Sequence, residues 1–349
     1  MKLIQTLVAC FLSMGLVACG GGGGSTSTAT SVIIGLALDS AAAPTKIYVA
    51  NAGYQTIQAV DLTTNAVTTL AGLSGTSGST NGTGSVARFY EPYALTLLGG
   101  NLYVADTSNY VIKKVTPAGV TSTLAGTLGT PGSTDATGTA ASFNVVKGMA
   151  GSGNFLYVLD TYSHTVRKVD ITSGAVTTLA GYAGTSGSTD NAIGSSARFN
   201  TPFGIAVDSS SNLYITDTLN QTIRVISSTG AVSTLAGSVG NTGTTDSTGT
   251  TAKFNTPAGI ATDGTSLFIA DSGNHTIRKV DIATGVVTTF AGTAGSSGSA
   301  DGTGTAAKFN TPTGLTMDSS GNLYVTDQWY LKIRKITSAG VVTTLSATF

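Results

Sequence analysis

The stretch FNTPFGIAVDSSSNLYITDTLNQTIRVISSTGAVSTLAG, residues 199–237, contains four short apolar runs separated by small polar residues. The runs GIAVD, LYITD, TIRVI and AVSTLAG are rich in Val, Ile, Thr and Tyr, whereas Gly, Asn and Ser lie between them. Runs of β-branched and aromatic residues bounded by turn residues predict short β-strands joined by tight turns. We name these four predicted strands A, B, C and D in chain order.

The same four-strand pattern recurs along the chain. The phrase TTLAG, or a close variant, closes five units with spacings of 54, 55, 56 and 55 residues, at Gly72, Gly126, Gly181, Gly237 and Gly292. A degraded copy, TTLSA, closes a sixth unit near the end of the chain. Six units of four strands predict an all-β fold, a six-bladed β-propeller with four-stranded antiparallel blades. A β-solenoid would need much shorter repeats.

The repeat also predicts the blade boundaries and the contacts between blades. We place the propeller at residues 32–349, with blades at about 32–72, 73–126, 127–181, 182–237, 238–292 and 293–349. Each long linker from strand D to the next strand A ends in a Phe, at Phe89, Phe143, Phe199, Phe254 and Phe309. We interpret these rings as wedges between blades. No such Phe precedes blade 1, and no strand exchange is predicted where blades 1 and 6 meet.

The repeat phrase itself indicates a family. The pattern F-x-x-P-x-G-I-A-x-D, followed by L-Y-V-x-D, N-x-x-I-R-K-V and G-x-V-T-T-L-A-G, resembles the NHL repeat and covers residues 32–349. The resemblance implies a six-bladed propeller of the broad group that includes TolB-like and gluconolactonase-like propellers. It also implies an alternative function, because gluconolactonase-like propellers are hydrolases that hold a divalent metal in the central channel.

The first residues resemble a bacterial lipoprotein signal. Lys2 precedes an apolar run that ends in LVAC, and residues 1–18 are the predicted signal peptide. The resemblance implies cleavage before Cys19, lipid on that cysteine, and an outer-membrane location, because Gly20 is not an Asp. Residues 19–31 are then a lipidated cysteine with a Gly, Ser and Thr tether. Once Cys10 leaves with the signal, the folded body has no cysteine and no disulfide.

Composition limits the partners. The formal net charge is zero and charged residues make up 10% of the chain, so no basic surface for nucleic acid is predicted. The Gly-rich linkers lack the Gly-Lys-Ser/Thr sequence of a phosphate loop. We predict no cofactor, a monomer, and contact with the membrane only through the lipid on Cys19.

Acidic residues and histidines follow the repeat. All sixteen aspartates occupy recurring positions, and we interpret them as turn-capping residues. His164 and His275 stand four residues after the strand B Asp, in a slot that holds Gln55, Tyr110, Gln221 and Leu331 in the other blades. They lie two blades apart, about 20 Å by strand spacing, so they cannot share one metal. We interpret both as turn residues and predict no catalytic or metal-binding residue.

The departures from the repeat predict a ligand face. The turns between strands B and C vary most, and in an antiparallel blade they emerge on the same face as the linkers. The candidate ligand face comprises Tyr54, Tyr110, Tyr162, Trp329, Tyr330, Arg88, Arg198 and Glu91, the only glutamate. Exposed aromatics near cations suit a protein or sugar ligand. We predict a binding or scaffold module for a protein, peptide or glycan. The alternative is a metal-dependent lactonase-like hydrolase or lyase, against which the single Glu argues.

Overall fold

The computed structural model describes residues 31–349; the predicted signal peptide and residues 19–30 lie outside them. Six antiparallel sheets contain four consecutive strands each, in the order A, B, C, D. In chain order the strands are β1 (Ile33–Leu38), β2 (Lys46–Asn51), β3 (Thr56–Asp61), β4 (Val67–Ala71), β5 (Pro92–Leu98), β6 (Asn101–Asp106), β7 (Val111–Val115), β8 (Thr121–Ala125), β9 (Val146–Ser152), β10 (Phe155–Asp160), β11 (Thr165–Asp170), β12 (Val176–Ala180), β13 (Pro202–Val207), β14 (Leu213–Asp217), β15 (Thr222–Ile226), β16 (Val232–Ala236), β17 (Ser247–Thr248), β18 (Pro257–Thr262), β19 (Ser266–Asp271), β20 (Thr276–Asp281), β21 (Val286–Ala291), β22 (Gly302–Thr303), β23 (Pro312–Met317), β24 (Leu323–Asp327), β25 (Lys332–Ile336) and β26 (Val341–Thr344). The predicted six-bladed propeller is confirmed.

Two linkers add a short strand to the outside of the following blade. β17 pairs with β21 of blade 5, and β22 pairs with β26 of blade 6. Single 3₁₀ turns lie in the linkers and in the turns between strands B and C, at Gly84–Val86, Thr107–Asn109, Gly138–Ala140, Gly194–Ser196, Thr218–Asn220, Gly249–Thr251, Ser272–Asn274, Gly304–Ala306 and Gln328–Tyr330. No helix within residues 31–349 is long and apolar enough to cross a membrane.

Strand A of every blade lines the central channel, and the strands of neighbouring blades approach closely there. A Cβ at Gly204 would overlap the carbonyl oxygen of Ala258, and one at Gly259 would overlap that of Thr313. Glycine is therefore needed at this point because the backbones touch. The same relation recurs at three more strand A glycines, Gly35, Gly148 and Gly314.

The linker phenylalanines lie between blades as predicted. All five rings are fully buried. Phe199 packs with Leu159 and Val166 of blade 3 on one side and Ile215 and Ile226 of blade 4 on the other. Each ring therefore joins two sheets, which is the role we inferred from its place in the repeat.

The ring closes between blades 1 and 6 without strand exchange. A Cβ at Gly314 would overlap the Ile34 carbonyl oxygen, and Thr326 Oγ1 donates to that oxygen at 3.3 Å. No linker Phe fills this seam within the described residues. The cluster of Ile33 and Tyr324 instead packs against the C-terminal residues, which include Phe349.

Candidate ligand site at the mouth of the central channel

The turns between strands B and C lie beside the linker ends, on one face of the propeller. Trp329 N donates to the Asn310 carbonyl at 3.3 Å, and Leu219 N donates to the Asn200 carbonyl at 3.2 Å. The variable turns and the residues that lead into strand A therefore share the face at which the channel opens. We call this face the mouth face.

The two histidines act as hydrogen-bond acceptors between blades. His164 Nδ1 accepts from Thr201 N, and His275 Nδ1 accepts from Thr311 N, both at 3.1 Å. Gln221 in the same slot accepts from Thr256 N at 2.6 Å. Every residue of the slot has positive φ, between 53° and 63°, at Gln55, Tyr110, His164, Gln221, His275 and Leu331. The interpretation of both histidines as turn residues is confirmed.

Burial lowers the pKa of both histidines, which favours the neutral ring that can accept at Nδ1. Within residues 31–349, no group of three or more His, Cys, Asp or Glu side chains could hold a metal ion. The histidines therefore contribute hydrogen bonds between neighbouring blades.

The turn-capping interpretation is confirmed for some aspartates and wrong for nine others. Asp208 accepts from the N–H groups of Ser210 and Asn212, as a turn-capping residue does. The nine aspartates at the end of strand B and in the linkers instead form ion pairs, at Asp106, Asp135, Asp160, Asp190, Asp217, Asp246, Asp271, Asp301 and Asp327. The cation on strand C lies between the blades, where it pairs with the Asp at the end of strand B and, in blades 3 to 6, with the Asp of the linker.

Blade 4 shows the arrangement. The Arg224 guanidinium donates to Asp217 at 2.7 Å and to Asp190 at 2.6 Å, and its other two bonds go to the carbonyls of Arg198 and Thr189. Burial raises the pKa of Asp217 to about 6, and the charge of Arg224 opposes that rise. Four of the five guanidinium donors are thus used, which makes Arg224 a cross-link between linker and blade.

The residues of this buried cluster differ between blades, and the cation and its partners change together. Blades 3 to 6 use Arg with two Asp. Blade 2 has Lys113 paired with Asp106 at 3.3 Å. Blade 1 has no charge there, because Asn51 Nδ2 donates to Gln58 Oε1 at 2.9 Å. In blades 2 to 6 the cation pairs with one fully buried Asp, and the second Asp of blades 3 to 6 is about half exposed, so the fully buried charges pair one to one.

The channel mouth is formed by one residue from each strand A, immediately before the close strand contact. We call this set the mouth ring; its members occupy the same position of strand A in each blade and are Ile34, Tyr93, Lys147, Phe203, Ala258 and Thr313. All of them except Ala258 line the cavity of the channel. The cavity that they border has a volume of about 80 Å³. Its described lining includes no carboxylate, and Lys147 is its single charged residue.

Lys147 is a buried cation inside an aromatic cage. Its side chain is 8% exposed, and Nζ lies 5.0 Å from the Tyr93 ring centroid and 5.8 Å from those of Tyr162 and Phe203. Tyr93 and Phe203 meet edge to face at 5.6 Å. Burial lowers the pKa of Lys147 to about 8, and the charge of Glu91 opposes that shift.

Glu91 stands beside the cage in a left-handed conformation, with φ 53°. Ser108 Oγ donates to Glu91 Oε2, and Glu91 N donates to Gln55 Oε1 at 2.6 Å. Burial raises the pKa of Glu91, while the Ser108 hydrogen bond and the charge of Lys147 oppose that rise. The predicted residues Glu91 and Tyr162 therefore lie at one site, together with Lys147.

The other predicted residues are distributed around the mouth face. Trp329 is 67% exposed and Tyr330 is 38% exposed, whereas Tyr54 and Tyr110 are half-buried. Trp329 occupies the same turn position as Tyr162, three blades away in the ring of six. The mouth face therefore has a buried aromatic site on one side and an exposed aromatic pair on the other.

The two predicted arginines make local contacts. Arg88 Nη1 donates to the carbonyls of Ser85, Val86 and Ala87. Arg198 donates to the Ala197 carbonyl at 2.8 Å and lies 4.9 Å from the Tyr182 ring centroid. These contacts do not join Arg88 or Arg198 to the aromatic side chains of the mouth face.

Sequence reasoning missed Lys147, although the signal was present. The segment VKG at residues 146–148 replaces the segments PFG, PAG and PTG of blades 4, 5 and 6. Lys147 is the only charged residue at this position of the repeat. Tyr93 and Phe203 were missed because an isolated aromatic on a strand cannot be assigned to a channel without the ring geometry.

These features define a closed, six-bladed propeller whose channel mouth is filled by strand A side chains. The chain belongs to the NHL repeat family: the family model described as the Teneurin NHL domain matches residues 65–251, more than half of the chain. Human NHL repeat-containing protein 2 is 31% identical over a region that covers 72% of this chain and 39% of that protein. The match thus spans about two fifths of this relative's length.

Solved structures show the same fold at low identity. An auxiliary nutrient binding protein from Bacteroides thetaiotaomicron is similar with a TM-score of 0.65 and 17% identity, covering 94% of this chain and 71% of that one. A catalytically inactive virginiamycin B lyase from Staphylococcus aureus is similar with a TM-score of 0.55 and 13% identity, covering 91% and 85%.

Proposed function

We propose that this protein is a binding module anchored in the cell envelope, and that its mouth face takes a protein, peptide or glycan. The observation that carries the proposal is Trp329, a large apolar side chain that is 67% exposed beside Tyr330 on the variable turn of blade 6. Aromatic side chains supply most of the free energy at the centres of protein interfaces. The half-buried Tyr54 in the neighbouring blade extends the aromatic surface of this face.

The fold alone does not choose between binding and catalysis. Propellers of this shape are described both as nutrient binding proteins and as a lyase, and their identities of 17% and 13% leave the decision to the residues. The metal-dependent hydrolase or lyase needs carboxylates that converge on the channel. The described lining of this channel instead presents the cation Lys147, which favours the binding module.

Anchoring through Cys19 would attach the tether to the propeller on the mouth face. Ser31 Oγ accepts from Asn51 Nδ2 at 2.9 Å, and Val32 O accepts from Ala52 N at 2.8 Å, so the chain enters the propeller at the turn between strands B and C of blade 1. That turn lies on the mouth face and next to blade 6.

The binding proposal is tested by replacing Trp329 and Tyr330 together with Ala in the full chain. Affinity capture from native envelope should lose the specific partner, whereas the control Val120→Ala should retain it. Val120 is 43% exposed and precedes strand D, so it is matched in exposure and lies away from the mouth face. An unchanged partner profile in the double variant, with the fold intact by circular dichroism, would refute this role of blade 6.

The anchoring proposal has its own test. A Cys19→Ser variant should leave the membrane fraction and lose metabolic labelling by a fatty acid analogue. A Cys10→Ser variant is the control, because Cys10 lies within the predicted signal. Equal labelling of both variants would contradict lipidation at Cys19.

A further inference from the structure

We propose that the mouth of the central channel is a binding site for an organic carboxylate, and that the Lys147 ammonium pairs with it. The inference deepens the proposed binding function and rests on it. It concerns a different part of the mouth face from Trp329, since Lys147 belongs to blade 3 and Trp329 to blade 6.

Lys147 has unused hydrogen-bonding capacity. An ammonium group has three N–H donors and no acceptor. Within residues 31–349, Lys147 Nζ makes no hydrogen bond and no ion pair within 4.0 Å, although the side chain is only 8% exposed. Its contacts are the ring faces of Tyr93, Tyr162 and Phe203. A largely desolvated cation without a directly bonded anionic partner is costly, and a bound anion would lower that cost.

The walls around Lys147 are largely apolar. Beyond Lys147, the mouth ring is apolar at Ile34, Tyr93, Phe203 and Ala258. Thr313 is already engaged, because its hydroxyl contacts Gln328 Oε1 at 2.7 Å and the Thr311 carbonyl at 3.0 Å. A ligand with a single anionic group and a small apolar body matches one cation set in an apolar wall. The cavity of about 80 Å³ has room for a small apolar group.

Glu91 is the carboxylate beside the cage, and it does not bond Lys147 directly. Its Oε2 is engaged by the Ser108 hydroxyl, and its separation from Lys147 Nζ exceeds the 4.0 Å of an ion pair. Glu91 thus attracts Lys147 at a distance but does not satisfy its donors. A ligand carboxylate that reaches Lys147 directly gains the short, charge-assisted bonds that Glu91 does not make.

Two sources can supply this carboxylate, a free amino acid or the C-terminus of a peptide. A free amino acid also carries an ammonium group that Glu91 could accept, whereas a peptide terminus does not. Three probes separate the possibilities: L-leucine, N-acetyl-L-leucine and N-acetyl-L-leucinamide. They share one apolar side chain. The acetyl group removes the charge of the amine and adds a small neutral amide, and the leucinamide also lacks the charge of the carboxylate.

The test measures the affinity of the full chain for each probe by isothermal titration calorimetry. N-acetyl-L-leucine, L-leucine or both should bind, and the amide should bind at least about tenfold more weakly. Equal binding of the two acids indicates a peptide C-terminus, and preference for L-leucine indicates a free amino acid. Equal affinity for the amide, or failure of both acids to bind, would overturn the proposal.

Two variants assign the site. Lys147→Met should weaken carboxylate binding at least about tenfold and keep the fold, because Met fills similar space without charge. Lys168→Met is the matched control: Lys168 lies on strand C of the same blade, 3.7 Å from the Phe155 ring centroid, and the variant should bind as the native chain does. Native affinity in Lys147→Met would contradict the assignment.

The variant Glu91→Gln tests whether the ligand is an anion or a cation. Removing this negative charge should leave N-acetyl-L-leucine binding intact or tighter, because the anion no longer meets a like charge. If Glu91→Gln abolishes binding while Lys147→Met does not, the site takes a cation and the proposal is wrong. Loss of the carboxylate site would leave partner capture through Trp329 untouched, so the two proposals fail separately.

Discussion

Arg224 and Lys147 are both buried cations in the same propeller, and they differ in what surrounds them. Arg224 makes four hydrogen bonds, two of them to Asp190 and Asp217. Lys147 makes none within the described residues and faces three aromatic rings. The arrangement around Arg224 recurs in three other blades, at Arg167, Arg278 and Arg334, whereas Lys147 occurs once. The satisfied cation holds the fold together, and the unsatisfied one is available to a ligand.

The strongest test of this difference removes the satisfied cation. Arg224→Met should lower the free energy of unfolding by about 3–5 kcal/mol, because it leaves Asp217 buried without its charge partner. Urea denaturation measures the loss. Arg198→Met is the control, since Arg198 is half-buried and bonds its own turn; it should lose less than about 1 kcal/mol. Equal losses would show that Arg224 has no special structural role.

Removing Lys147, the cation without a bonded partner, should raise the free energy of unfolding, whereas removing Arg224 should lower it. The pKa of Lys147 is about 8, against the ordinary value of 10.5, and the difference corresponds to roughly 3 kcal/mol of burial cost at neutral pH. Lys147→Met should therefore stabilise the protein at pH 7, by up to roughly 3 kcal/mol. Destabilisation at pH 7, with native packing elsewhere, would mean that Lys147 has a structural partner.

The pH dependence of this gain follows from the same shift. Between pH 8 and 10.5 the unfolded chain still binds the Lys147 proton and the folded chain does not, so native stability rises with pH in this window. The advantage of Lys147→Met should shrink across that window. Urea denaturation of both chains at pH 7 and pH 10 measures it, and a constant difference would contradict the lowered pKa.

A smaller effect is expected at the histidine acceptors. His164 and His275 accept at Nδ1 only when neutral, and burial lowers the pKa of each. The contribution of these hydrogen bonds to the free energy of unfolding is complete above the unfolded pKa of about 6.5 and is lost as the pH falls below it. The double variant with Gln at both positions should match the native chain at pH 7.

The same double variant should resist acidification better than the native chain. Between pH 7 and pH 5, each histidine should add less than about 1 kcal/mol to the loss of unfolding free energy in the native chain, which is the size of one hydrogen bond. Thermal melts at both pH values measure it, with His164→Gln and His275→Gln as single controls. If the native chain, the double variant and the two single variants lose the same stability on acidification, the acceptor role of the two histidines is wrong.

The repeat predicted what depends on local pattern. The strands around LYITD, the Phe199 wedge and the turn role of His275 all follow from residues that recur at a fixed spacing. The ion pair of Arg224 and Asp190 was missed because its partners lie 34 residues apart and meet only when the linker folds back. Lys147 was missed because its significance depends on rings from blades 2 and 4, and no spacing in one blade shows their convergence.

In our proposal, Lys147 has no bonded partner until a carboxylate binds. NMR titration of lysine-labelled protein, with the signal assigned by its absence in Lys147→Met, measures the pKa of this ammonium directly. The account predicts a pKa near 8 in the free protein and a higher value with saturating N-acetyl-L-leucine, because the bound anion stabilises the charged form. A pKa at the ordinary lysine value without ligand, or one that the acid leaves unchanged, would contradict it.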